Sequence, residues 1–69
     1  MTNSVYKFIE LVGTSTTSWE DAAKAAVEKA SQSLRDTRVA EIKDLDMKLE
    51  DGKVALFRAT VRLSFKYQG

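Results

Sequence analysis

The sequence predicts an α+β fold of order β-α-β-β, in which a three-stranded antiparallel sheet lies against a single helix. Three observations carry this reading. Val5 to Val12 (VYKFIELV) is β-branched and aromatic at both parities, as in a strand covered on both faces. Trp19, Ala22, Ala23, Ala26, Ala30, Ser33 and Leu34 recur at helical spacing. Asp51-Gly52 separates two long runs of strand formers, and Asp-Gly suits a type I′ turn because both central residues need positive φ.

In chain order, Gly13 is expected to end the first strand. The hydroxyl-rich Thr14–Ser18 then leads into a helix over about residues 18–34. Thr17 with Glu20, or Ser18 with Asp21, has capping-box spacing, and the two acids sit at the positive end of the helix dipole. The apolar stripe is mostly alanine, which allows close approach to a sheet but buries little area. Arg35-Asp36-Thr37-Arg38 links the helix to the hairpin, Val39 to Tyr67.

A two-residue turn sets the hairpin register, with Glu50 opposite Lys53. Continued without interruption, it pairs Ile42 with Val61 and Ala40 with Leu63 on one face. On the other face it pairs Leu49 with Val54, Met47 with Leu56, Leu45 with Arg58, and Glu41 with Arg62. The last pair opposes unlike charges, which supports the register. The apolar side would then change faces part-way along, beyond the reach of a single helix. Length points the same way: a helix of about 17 residues spans about 25 Å, whereas Lys53 to Tyr67 spans about 50 Å. Leu45, Met47, Leu49, Val54 and Leu56 are therefore expected to lie in an interface with another copy of the chain.

Composition narrows the function. The 69 residues read as a single domain over 1–69, near the lower limit for a self-sufficient core, with no Cys or His for disulfides or a zinc site. A net charge of +1 argues against nucleic-acid binding driven by a basic surface. No stretch approaches a membrane span and no signal-peptide core is visible, so no membrane association is expected and the cytoplasm is the default location. Catalysis is not expected, because no His or Cys is present and no base accompanies the Ser and Thr hydroxyls at a recognisable spacing. Gly13 to Ser18 could hold a phosphate, but capping accounts for its hydroxyls and Glu20 and Asp21 would repel an anion. Arg58, Arg62 and Lys66 project from one strand face, either as salt-bridge partners or as an electropositive lining for anionic small molecules.

VYKFIELVGTS at 5–15, SWEDAAKAAVEKA at 18–30, the LR at 34–35, the AEI at 40–42 and VRLSFKY at 61–67 together resemble the dodecin family over nearly the whole chain. The resemblance implies a three-stranded antiparallel sheet wrapped around one helix, with twelve copies forming a hollow homododecamer. It also implies non-enzymatic binding or storage of a small ligand, in most characterised members riboflavin or FMN. The flavin positions do not carry over. Val39 stands where flavin-binding dodecins place a stacking Trp, and Arg58 where they place a ring-pairing Gln. Valine offers no π-face, and Arg donates hydrogen bonds but cannot accept them. Trp19 lies on the helix, where its spacing reads as core. The pattern is closer to a subgroup without the flavin Trp, of which one member is described as calcium-binding. The resemblance thus allows calcium as a ligand, with Asp44 and Asp46 on one strand face as the candidate carboxylates. Copies around a threefold axis could supply the six to eight oxygens calcium prefers; the alternative for these acids is a solvated strand edge. A flavin-storage protein with altered ring contacts, Arg58 among them, remains the alternative function.

Overall fold

The computed structural model describes residues 3–35 and 37–67. Its elements are β1 (Tyr6–Ser15), α1 (Trp19–Ser31), β2 (Thr37–Glu50) and β3 (Lys53–Lys66), with the antiparallel strands in the order β1-β3-β2. The β-α-β-β reading and the hairpin turn are borne out. Asp51 and Gly52 have φ of 53° and 74°, as a type I′ turn requires. Asp36 of the linking segment lies outside the described residues.

Gly13 does not end the first strand, which runs on to Ser15. The glycine instead permits contact with the helix: a Cβ there would sit 2.0 Å from the Ala22 carbonyl oxygen and 3.0 Å from the Ala26 Cβ. Ala22 and Ala26 face it from α1, so small residues on both elements draw the helix onto β1. The helix is also shorter than expected. Ser18 is its N-cap, accepting from the Asp21 backbone N–H at 3.0 Å. The Asp21 carboxylate does not turn back to the cap, as a capping box would have it; it accepts from the Ser15 hydroxyl at 2.8 Å. Ser15 Oγ in turn accepts from the N–H groups of Thr17 and Ser18, at 2.9 and 3.4 Å. The strand end and the helix start are thereby joined in one polar cluster.

The main departure lies in the hairpin register. The expected pairs hold at the tip (Glu50–Lys53, Leu49–Val54) and at the base (Ile42–Val61, Glu41–Arg62, Ala40–Leu63). Between them the ladder shifts by one residue. Met47 opposes Phe57 rather than Leu56, and Leu45 opposes Ala59 rather than Arg58, because Ala55 on β3 and Lys43 on β2 are passed over. An unpaired residue in one strand reverses which parity faces the core. The two irregularities therefore bring Ala40, Ile42, Leu45, Met47 and Leu49 onto the same face, together with Leu63, Val61, Ala59, Phe57 and Val54. The apolar side of the hairpin does not change faces; it is continuous on the helix side. Leu56 leaves this row and stands on the outer face opposite Lys48.

The core is small: Ala22, Ala26, Ala59, Val61 and Leu63 are buried. The two largest of these, Val61 and Leu63, contribute about 1.5–3 kcal/mol each by full burial. The helix lies over β1 and β3 and barely touches β2. Thirteen helical residues span about 20 Å and fourteen strand residues about 46 Å, in a molecule extending 56 Å along its long axis. Ile42, Leu45, Met47, Leu49 and Val54 consequently remain 44–59% exposed on the helix face. The helix is thus too short to cover the hairpin, although the uncovered surface lies on one face and not two.

Candidate functional site

On the outer face, away from the helix, ladder partners form rows across β1, β3 and β2: Phe8–Ser64–Val39, Glu10–Arg62–Glu41, Val12–Thr60–Asp44 and Thr14–Arg58–Asp46. All four of the candidate ligand residues, Val39, Asp44, Asp46 and Arg58, stand on this face. Val39 is 60% exposed. Six residues of β3 separate its row from that of Arg58, or about 20 Å at the rise of a strand. One chain therefore does not bring the two flavin-site positions together.

Arg58 is engaged by Asp46. Its Nε donates to Oδ1 at 2.7 Å and an Nη to Oδ2 at 3.2 Å, a bidentate fork on a half-exposed pair. The hydrogen bond from Arg58 is the main cause that holds the Asp46 carboxyl below the usual carboxylate range; the arginine charge adds to it, and partial loss of water opposes it. The same hydrogen bond raises the guanidinium above its ordinary value. Sequence reasoning missed this pair, since an unbroken register sets Leu45 against Arg58. A signal was available. Glu41–Arg62 and Asp46–Arg58 both oppose unlike charges, yet no single register satisfies both, so an unpaired residue between them is required.

Asp46 links the two sides of the sheet. Its side chain meets Arg58 outside, while its carbonyl accepts from Trp19 Nε1 at 3.0 Å. Trp19 also meets Phe57 edge-on, with ring centroids 5.1 Å apart. Phe57 is a partner that sequence reasoning overlooked. With Glu20, Ala23, Ile42 and Leu45, Trp19 lines an apolar hollow of about 430 Å³ between the helix start and β2. On the outer face, the Arg62 guanidinium lies 4.2 Å from the Phe8 ring centroid, and its Nε is 3.6 Å from Glu41 Oε1, too long for a hydrogen bond.

Asp44 and Asp46 occupy adjacent rows, about 7 Å apart along the strand. Asp46 has both oxygens on Arg58, whereas Asp44 makes no hydrogen bond or ion pair among the described residues. No group of three or more His, Cys, Asp or Glu able to hold a metal occurs among the described residues. No helix among them is long and apolar enough to cross a membrane.

A helix on one face of a β1-β3-β2 antiparallel sheet, with one apolar edge left uncovered, defines a class of small single-helix α+β subunits. The chain belongs to the dodecin family, whose family model matches residues 5–68. It is 44% identical over 63 residues to the calcium dodecin of Mycobacterium tuberculosis, covering 91% of this chain and 89% of that protein. Among solved structures, the dodecin of Streptomyces coelicolor superposes with a TM-score of 0.91 at 35% identity, over 100% of this chain and 99% of the other. The structure of the calcium-chelating M. tuberculosis antigen, a calcium dodecin with a calcium-binding site, superposes with a TM-score of 0.85 at 43% identity, over 94% and 93% of the two chains.

Proposed function

We propose that the chain is a non-enzymatic subunit of a hollow homododecameric shell that binds or buffers a small ligand, with the flavin site of the family degenerate. The observation that carries this reading is the state of the two flavin positions. Val39 offers an exposed aliphatic side chain where stacking needs a ring, and the Arg58 fork is already engaged by Asp46. An arginine held in this way neither accepts from a flavin ring nor leaves its carboxylate partner without cost. Assembly is supported by the uncovered apolar row from Ile42 to Leu49 with Val54, next to the Trp19 hollow.

Calcium is a second reading, favoured by the relative at 44% identity that is named a calcium dodecin. In this reading Asp44 is the unengaged ligand, and Asp46 joins only by releasing Arg58. Two carboxylates fall short of six to eight oxygens, so neighbouring copies must complete the site.

Native mass spectrometry tests the shell: twelve 7.7 kDa chains weigh about 92 kDa. Riboflavin fluorescence is expected to persist on adding the protein, and quenching at micromolar protein would establish the flavin-storage alternative. Calorimetric titration with calcium, on wild type and on Asp44→Asn, tests the second reading. No heat and no gain in Tm with calcium would remove it.

A further inference from the structure

β2 is an edge strand, paired with β3 on one side only, and the helix barely touches it. Between the skipped residues Lys43 and Ala55 five pairs run in displaced register, and Asp46–Arg58 is the middle one. An unpaired residue at each end disrupts the ladder locally, so this short segment depends on side chains for its alignment. They reach Asp46 from both faces of the sheet. Outside, the Arg58 fork closes on its carboxylate at 2.7 and 3.2 Å. On the helix side, Trp19 Nε1 donates to its carbonyl at 3.0 Å, and the same indole stands edge-on to Phe57, the partner of Met47.

These contacts lie in series. The side chain and the carbonyl of Asp46 hang from one Cα, so a rotation of the residue about the strand axis moves both. Opening the fork frees that rotation, and the indole then follows its acceptor or loses it. Lys48, one outer row away, is 3.7 Å from Glu50, and Arg62 sits beside Glu41, so neither stands in for Arg58. On the helix face, Trp19 lines the apolar hollow with Ala23, Ile42 and Leu45, and a displaced indole changes its shape.

We propose that Arg58, Asp46 and Trp19 form a conformational coupling across the sheet. The closed fork on the outer face holds the indole in place on the helix face, and opening the fork loosens the Trp19 hollow. Through the hollow and the adjoining apolar row, the state of the outer face then sets how tightly copies of the chain associate. This last step rests on the shell function proposed above, whereas the coupling itself lies within one chain.

Trp19 is the only tryptophan of the chain, so fluorescence of the full-length protein reports this indole alone. Asp46→Asn and Arg58→Gln, compared with wild type at equal native mass, are each expected to shift the emission to the red and to raise quenching by acrylamide about twofold. The double variant should shift no further, because both changes open the same pair. Glu41→Gln, which opens the neighbouring pair with Arg62, should leave the emission unchanged. Raising the salt from about 0.05 to 0.5 M should redden wild-type emission by screening this half-exposed pair, and should not affect Arg58→Gln. Native mass on serial dilution should show association weakened about fivefold or more in Arg58→Gln, the lower end for coupling between sites. Wild-type emission that ignores salt, folded single variants that emit as wild type does, or an equal shift in Glu41→Gln would overturn the coupling. The salt comparison uses wild type, so it decides the matter even where a variant does not fold. A responsive indole in a chain that stays single at every concentration would overturn the shell function and leave the coupling standing. A mass of twelve chains with an unresponsive indole would do the reverse.

Discussion

Gly13→Ala isolates the contact that sets the spacing between helix and sheet. An added Cβ would lie 2.0 Å from the Ala22 carbonyl oxygen, 2.9 Å from the Ala22 carbonyl carbon and 3.0 Å from the Ala26 Cβ. The closest atom belongs to helix backbone, so no rotamer change relieves it. Restoring an ordinary contact near 3.2 Å moves the helix about 1.2 Å off β1. Ala22 and Ala26 are then drawn away from the sheet, and among the described residues only five apolar side chains are buried. Overpacking of this kind costs about 3 kcal/mol, a Tm loss of roughly 12–24 °C for a domain of this size. Gly→Ala also stiffens the unfolded chain, but that gain of about 0.4–1 kcal/mol is too small to offset the clash. Gly52→Ala provides the contrast: nothing lies within 4 Å of its added Cβ, and its penalty of about 1–2 kcal/mol comes from φ of +74° alone. Urea and thermal melts at one fixed protein concentration measure both, because assembly makes Tm concentration-dependent. Ala26→Gly is not expected to rescue Gly13→Ala, since the Ala22 oxygen remains in place. A Gly13→Ala protein within about 0.5 kcal/mol of wild type would refute the close-contact account.

Three further predictions follow from the hairpin and its side chains. Deleting Lys43 should preserve the fold, since the ladder already skips it; in NMR spectra the Met47–Phe57 and Leu45–Ala59 cross-strand contacts should survive, and their replacement by Met47–Leu56 would sink the bulged register. Leu45→Glu/Met47→Glu places two charges in the uncovered apolar row and is expected to reduce the native mass to that of smaller species, whereas an unchanged mass would show the row to lie outside the contacts between copies. The carboxyl of Asp46 has a lowered pKa in the folded state, so its contribution to stability is present above the unfolded pKa and is lost as pH falls through the folded value. Asp46→Asn should therefore lower stability by a constant amount across neutral and alkaline pH and flatten the acid limb below about pH 4, where the wild type loses the same contribution, as pH-dependent melts would show.

Much of the architecture was readable in the residues, for identifiable reasons. Asp51-Gly52 specifies its turn through backbone conformation alone, and the alanine stripe specifies a helix face by periodicity. Both are local signals. What escaped was non-local. Gly13 reads as a strand terminator until the helix above it is known, and only then does its missing Cβ become a packing requirement. The bulges at Lys43 and Ala55 carry no local mark, because neither is Gly or Pro. They show only in the conflict between two charge pairings that no uninterrupted ladder satisfies. The candidate site was not legible at the level of face: an unbroken register sets Val39 and Arg58 on one face and Asp44 and Asp46 on the other, and only the skipped Lys43 brings all four outward. Its internal pairing was hidden for the same reason, since a one-residue offset decides whether Arg58 meets an aliphatic chain or a carboxylate. The Trp19 indole bond to the Asp46 carbonyl joins residues 27 apart in sequence and leaves no trace in spacing.

The paired skips in the hairpin act as an expansion joint. Each offsets the strands by one place and the second cancels the first, so the turn and the pairs from Ile42–Val61 to Val39–Ser64 keep step while the middle five pairs run displaced; a further shift falls beyond them, between Thr37 and Val39. A length change in either arm has a place to be absorbed without disturbing the alignment at the extremities. Variation among related chains, and insertions introduced by engineering, should therefore concentrate beside Lys43 and Ala55. The pairing around Glu50–Lys53 and Ala40–Leu63 has no such slack.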